Sequence, residues 1–288
     1  MDRLLTVKYA LVWVLVVLCC ATVSQAEAGA PQLQLLGKLR SSESPTTGLA
    51  VDNAGNLFLS KARLKTLSKF DIYGRNLQRF SPLKVGEGGL AVAPMGDAVY
   101  VAAGKSVLIL NADSGGEIGQ LGTAEKKFGW VAHIALDGRG YVYVADSSAR
   151  SVRVYDQQGV FQFEFAGPGE VPGRLGLLSA MAINHSMGEV WVADNLAKGE
   201  NPGPKILVYD LTGQFLRELS GATDFGGEPV GRFGAIAFDP LGRVYILDDQ
   251  NNEIRCFDPQ TTNFTIYNQE EAFANMLVGR TVMVFEPT

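Results

Sequence analysis

One pattern recurs five times along this chain, and its period limits the possible folds more tightly than any local motif does. Each copy is a short apolar run, an Asp, a Gly turn, a run of the Val-Tyr-Val-Ala-Asp kind, a polar gap, a second apolar run ending in Tyr-Asp, and another Gly turn. The clearest copy runs from His133 through Tyr141-Val-Tyr-Val-Ala-Asp146 and Ser151-Val-Arg-Val-Tyr-Asp156 to Gly159. Aligning the copies on the alanine of the first run gives Ala50, Ala91, Ala135, Ala182 and Ala237, spaced by 41, 44, 47 and 55 residues.

Each copy holds four short segments rich in Val, Ile, Tyr and Phe, which in the third copy are His133–Leu136, Tyr141–Ala145, Ser151–Tyr155 and Val160–Ala166. The segments are separated by Asp-x-x-Gly turns: Asp52–Gly55, Asp71–Gly74, Asp137–Gly140, Asp156–Gly159, Asp210–Gly213 and Asp239–Gly242. Asp at the first turn position bonds the backbone two residues on, and Gly takes the positive φ that closes the turn. Short, evenly spaced strands of this composition define an all-β protein. The runs are too short and too often broken by Gly for helices. They are apolar on both faces, as expected of sheets packed on each side by neighbours, which is the arrangement in a β-propeller. Asn275–Glu286 reads as the second and third strands of another unit, and Gln32–Arg40 as a fourth strand. The expected architecture is therefore a six-bladed β-propeller of four-stranded blades. Its ring is closed by N- and C-terminal strands sharing the sixth blade, which removes the exposed sheet edge.

These segments resemble the NHL repeat. Tyr143-Val-Ala-Asp146 with Arg150–Asp156, Trp191-Val-Ala-Asp194 with Ile206–Asp210, and Tyr245–Asp249 with Glu253–Asp258 are the good matches. The first two copies are degenerate, with Phe58-Leu-Ser60 and Tyr100-Val-Ala102 in place of an Asp-ending strand. The resemblance implies the propeller fold, and implies function only weakly, because this fold carries both enzymes and plain binding scaffolds.

The N-terminus reads as a secretory signal peptide over residues 1–26. Arg3 and Lys8 precede an apolar stretch of 14 residues, Ala10–Val23, and Ser24-Gln-Ala26 and Ala26-Glu-Ala28 both offer small-x-small cleavage sites. A membrane anchor takes about 20 apolar residues. The remaining domain, 27–288, is expected to be periplasmic or secreted and monomeric. It retains one cysteine, Cys256, so export brings no internal disulfide. The whole chain carries a net charge of −5; with Asp2, Arg3 and Lys8 removed, the mature form is near −6. That balance disfavours nucleic acid as a partner, since phosphate binding needs clustered Lys and Arg.

Three long irregular stretches, Gly167–Leu178, Asn195–Pro204 and Gly221–Arg232, belong to one end of the blades. Long loops on a rigid scaffold are where binding usually resides. Asp146, Asp194 and Asp248, each ending a second strand, point to the same rim. They either bind a cation or basic ligand there or satisfy backbone N–H groups of their own turns, with Arg150 as a partner for Asp146. Asn195, Asp249 and Asn251 lie outside the bare repeat, Trp130 and His133 sit at the start of a first strand, and Arg232 ends the third long stretch. His185 falls in a turn expected on the opposite side. Asn184-His-Ser186 and Asn263-Phe-Thr265 match glycosylation sequons.

The leading functional expectation is a non-enzymatic module with no cofactor, binding a protein, peptide or glycan on the long-loop face. Two enzyme classes share the general plan. Peptide-amidating lyases of the NHL type hold zinc with three His, whereas this chain has two. A calcium-dependent lactonase would need Asp146, Asn195, Asp248 and Asp249 to converge on one cation, with His133 as base.

Overall fold

The computed structural model describes residues 12–17, 35–41 and 47–268, apart from 72, 82, 123–126, 198–202 and 260–263. Among these residues the chain forms five four-stranded antiparallel sheets, one per repeat, each ordered consecutively from inner to outer strand. Blade one comprises Gly48–Val51, Leu57–Lys61, Thr66–Phe70 and Asn76–Phe80. Blade two is Leu90–Val92, Ala98–Ala102, Val107–Asn111 and Glu117–Leu121. Blade three is Val131–Leu136, Val142–Asp146, Ser151–Tyr155 and Phe161–Ala166. Blade four is Leu178–Asn184, Glu189–Ala197, Gly203–Asp210 and Phe215–Ser220. Blade five is Phe233–Phe238, Val244–Asp248, Glu253–Phe257 and Phe264–Asn268.

The expected sixth blade is corrected by this count: the described residues make a propeller of five blades. Leu35–Ser41, expected to join C-terminal strands, pairs instead antiparallel with Val12–Val17. A Val-Trp-Val-Leu-Val-Val run has the β-branched composition that strands favour, so it competes for the same pairing. The other expected partner, Asn275–Glu286, lies outside the described residues.

The second strands of blades two, three and five are buried along their whole length, as the lack of alternation in their sequence implied. Neighbouring blades supply the cover. Tyr143, Ala145, Val152 and Val154 of blade three pack on Met181, Ile183, Val190, Val192 and Leu207 of blade four. Equivalent layers join blades one to two, two to three, and four to five. Each such Val, Leu or Ile is worth about 1.5–3 kcal/mol on full burial, so these layers dominate the stability of the stack.

The turns are built as their sequences require. In all six Asp-x-x-Gly turns the Gly has φ between 77° and 83°. In each, one carboxylate oxygen accepts two backbone N–H groups; Asp137, for example, accepts from Arg139 and Tyr141, both at 2.9 Å. Phe165 stands 2.9 Å from where a Cβ on Gly213 would lie, so that turn also needs its glycine for close blade packing.

Inner strands from all five blades line a central cavity of about 700 Å³. The five alanines that align the repeats all face it. A small side chain suits that position, where the inner strands of several blades converge.

Candidate functional site

The long-loop rim lies at the end where second strands lead into third strands. Its geometry is set by one device repeated three times. The carboxylates of Asp146, Asp194 and Asp248 are fully buried. Asp146 accepts from the backbone N–H groups of Gly129 (2.7 Å), Trp130 (3.1 Å), Ser148 (3.1 Å) and Ala149 (3.1 Å). Asp194 accepts from Gly176 (2.6 Å), Leu177 (2.7 Å) and Leu196 (2.9 Å). Asp248 accepts from Gly231 (2.7 Å), Arg232 (3.1 Å), Gln250 (3.2 Å) and Asn251 (3.1 Å), and from the Asn251 side-chain amide at 2.9 Å. Each carboxylate thus ties the loop entering its own blade to the residues that follow it, a turn after Asp146 and Asp248 and the extended strand after Asp194. These charge-assisted bonds are the stronger class.

Blades one and two lack this carboxylate and close the same junction differently. Thr47 N–H donates to the Ser60 carbonyl at 2.9 Å, and Gly86 N–H to the Ala102 carbonyl at 2.7 Å. The rim is therefore asymmetric, with its carboxylate-tied loops all in blades three to five.

The remaining candidates fall around these anchors. Asn195 donates from Nδ2 to the Phe233 carbonyl at 3.0 Å and accepts from Phe233 N–H at 2.8 Å, joining blades four and five. Arg232 and Asp249 form a bidentate pair, with Nε to Oδ1 at 2.6 Å and Nη2 to Oδ2 at 2.8 Å. The hydrogen bonds and charge of Asp249 raise the Arg232 pKa further above its ordinary value. Arg150 does not pair with Asp146. It is exposed with φ 56°, and the Asp146 oxygens are already committed to the backbone. The His133 Nε2 is 2.6 Å from the Ser179 carbonyl, across the junction of blades three and four, on the cavity wall. His185 also reaches the cavity, from the turn between the inner and second strands of blade four.

The donor set does not suit a calcium ion at the rim. Among the described residues, no group of three or more His, Cys, Asp or Glu side chains is placed to hold a metal. Each carboxylate that a cation would need already accepts at least three backbone N–H groups, and Asn195 is spent on Phe233. The sequon at Asn184 is likewise closed, because that side chain is buried and bonded to the Gly242 carbonyl and to Ser186 and Met187.

Two rim features were missed in the sequence. Arg255 lies inside an apolar strand and is 1% exposed. Its guanidinium donates to the carbonyls of Phe225 (2.9 Å), Glu228 (2.5 Å) and Pro229 (3.1 Å), fixing the Gly221–Arg232 stretch from beneath. A lone Arg inside the Ile254–Phe257 run was the available signal. The second feature is the apolar surface of the rim, where Trp130, Val171, Leu177 and Leu196 are all exposed. Trp130 and Leu177 occupy the same repeat position, each giving its N–H to a rim carboxylate while its side chain faces outward. The expected irregular stretch at Asn195–Pro204 is also corrected. The two strands continue outward, pairing Ala197 with Gly203, so the rim is raised there by a hairpin. The Gly167–Leu178 stretch is held by Tyr209, whose hydroxyl donates to the Gly173 carbonyl at 3.0 Å, and burial pushes that phenol pKa up.

Fold and rim together define a propeller-type repeat protein with NHL-type relatives. No family model matches the chain. Protein brain tumor of Drosophila melanogaster is 22% identical over 142 residues, covering 49% of this chain and 13% of that protein. The B-box type zinc finger protein ncl-1 of Caenorhabditis elegans is 28% identical over 142 residues, 49% of this chain and 15% of that protein. The match thus spans about half of this chain and a small part of either relative. A solved structure described as a streptogramin B lyase superposes with a TM-score of 0.58 at 15% identity, covering 77% of this chain and 68% of that one. The likeness is one of fold.

Proposed function

We propose that this chain is a non-enzymatic binding module that presents the rim of blades three to five to a protein, peptide or glycan. We infer also that it works outside the cytoplasm, periplasmic or secreted, on the evidence of Arg3, Lys8 and the apolar stretch Ala10–Val23. The observation that carries the binding reading is the division of labour at the rim. Its buried polar groups are consumed in fixing the loops, while Trp130, Val171, Leu177 and Leu196 are left facing solvent. A preorganised face with an exposed aromatic anchor binds without first paying the entropy of ordering its loops. In both relatives the matched stretch is a small part of a longer protein, which supports reading it as a module.

The experiment is site-specific photocrosslinking in the producing cell. A photoreactive amino acid replaces Trp130 or Leu177 on the rim, and Ile118 on an outer strand as a reference. A discrete adduct from both rim positions and none from Ile118 is expected. Adducts equal at all three positions, or absent from the rim alone, would remove the rim as the binding face.

A further inference from the structure

The two ends of the blades carry opposite charge. Residues 61–65, 83–88, 103–106, 127–130 and 147–150 form the rim of blades one to three. They expose Arg63, Lys65, Lys84, Lys105, Lys127 and Arg150, against Glu87 as the exposed carboxylate among these residues. None of these cations takes part in an ion pair among the described residues.

Backbone contacts gather the lysines. The Lys65 carbonyl accepts the Leu83 N–H at 2.9 Å, beside Lys84, and one blade on the Lys105 carbonyl accepts the Phe128 N–H at 3.0 Å, beside Lys127. A Cβ on Gly86 would stand 2.5 Å from the Gly104 nitrogen, so the loop of Lys84 lies against the turn of Lys105. Like charges on one arc repel, and a partner bearing carboxylates relieves that repulsion.

The turns between first and second strands, and between third and fourth, meet at the other end of the blades. Their arginines are already matched: Arg75 with Asp71 (2.5 Å), Arg139 with Asp137 (2.7 Å) and Arg243 with Asp239 (2.6 Å). Carboxylates remain. Asp97 is exposed, and Asp156 and Asp210 are half-buried in outer turns, none of them in an ion pair among the described residues. The Asp113 side chain is 89% exposed, with one oxygen 3.2 Å from the Lys69 Nζ. Between these carboxylates stand Met95 (89% exposed), Tyr73 (83%) and Leu241 (68%). Exposed apolar groups that share one face mark a contact surface.

We propose that this protein associates head to tail, the rim of one copy resting on the turn end of a second. The rim offers lysines together with Trp130, Val171, Leu177 and Leu196; the turn end offers carboxylates together with Met95, Tyr73 and Leu241. One contact matches both charges and covers both apolar sets. Each end complements the other and neither complements itself, so the interface joins unlike surfaces and leaves one rim and one turn end free for further copies. This departs from the monomer expected of a closed ring, since closure satisfies sheet edges and not faces. The inference names a partner for the binding rim and rests on that reading.

The test is sedimentation velocity on the full chain across concentration and salt. Two variants each reverse one end: Lys84→Glu with Lys105→Glu at the rim, and Asp97→Lys with Asp113→Lys at the turns. All four side chains are exposed, and of them only Asp113 is paired among the described residues, with Lys69. The unmodified chain is expected to grow beyond a monomer as concentration rises at low salt, and to shift back as salt screens the exposed charges. Each variant alone should lose affinity by about tenfold or more. An equal mixture of the two should regain it, because the reversed ends fit each other. Association unchanged by either reversal, as the apolar stretch Ala10–Val23 would produce, overturns the proposal, and so does a loss that mixing does not restore. A chain that stays monomeric overturns it as well. A rim photoadduct of some other mass would then keep the rim as a binding face for a different protein, whereas a rim without adducts would remove both readings.

Discussion

Asn195 and Phe233 are joined by a reciprocal pair of hydrogen bonds, 3.0 Å from the Asn195 amide to the Phe233 carbonyl and 2.8 Å from the Phe233 N–H to the Asn195 Oδ1. The two residues belong to consecutive blades, so one side chain completes the start of its neighbour's inner strand. Asn195→Ala leaves a donor and an acceptor of the nearly buried Phe233 backbone unmatched. The expected loss is about 1–3 kcal/mol, read as a lower midpoint in urea unfolding. Asn195→Asp keeps the acceptor and loses the donor, and should fall between the two.

Asp194 serves three N–H groups. Asp194→Ala should cost about 3 kcal/mol or more, because it strands several donors beneath the rim at once. Asp194→Asn keeps one acceptor but turns an amide toward Gly176 N–H, so it too destabilises, by less. Thermal unfolding of the two variants checks the order.

Arg255 ties the Gly221–Arg232 stretch to its strand and lies beside Glu253 and Asp248, with Nη2 3.9 Å from the Asp248 Oδ2. Arg255→Met matches its length but leaves two carboxylates and three carbonyls without this donor. A loss of about 3–5 kcal/mol is expected, in line with breaking a buried charge pair. Hydrogen exchange should quicken first in residues 225–230, before the blade strands respond.

The repeat made the strands and turns legible. In the third copy the strand boundaries expected from sequence agree with the structure within about two residues, and every Asp-x-x-Gly turn formed as its chemistry required. Blade number was not legible, because Leu35–Ser41 has strand composition without a code for its partner, and the nearby Val12–Val17 offers an edge as good as a distant one. The rim was legible in outline only. Asp146, Asp194 and Asp248 could be read as ending second strands, but the choice between ligand and staple depends on which N–H groups converge on them. Those donors come from loops about 17 residues earlier, a distance no local pattern spans. Arg255 was hidden for a related reason: a buried Arg is recognised by the carbonyls around it, and carbonyls leave no mark in a sequence.

His185 supplies a pH test. The ring is exposed at the cavity mouth, yet desolvation by its neighbours still draws its pKa below the ordinary histidine value, with Asp137 acting the other way. The unfolded chain therefore binds a proton at a pH where the folded chain does not. Stability should rise with pH across the interval from the lowered folded pKa to the unfolded value of about 6.5, and be flat in this contribution above it. Urea midpoints measured from about pH 5 to 8 should lose that component in His185→Asn.

The central claim is that the rim carboxylates hold backbone, leaving an apolar face to do the binding. Thermal unfolding of the full chain with excess calcium and with a chelator, paired with metal analysis of protein purified without chelator, tests it most directly. Melting temperatures that agree within about one degree, with no stoichiometric calcium, are expected when Asp146, Asp194 and Asp248 are engaged by backbone N–H groups. Stoichiometric calcium together with a drop of several degrees on chelation would contradict the account, and would return these residues to the role of metal ligands.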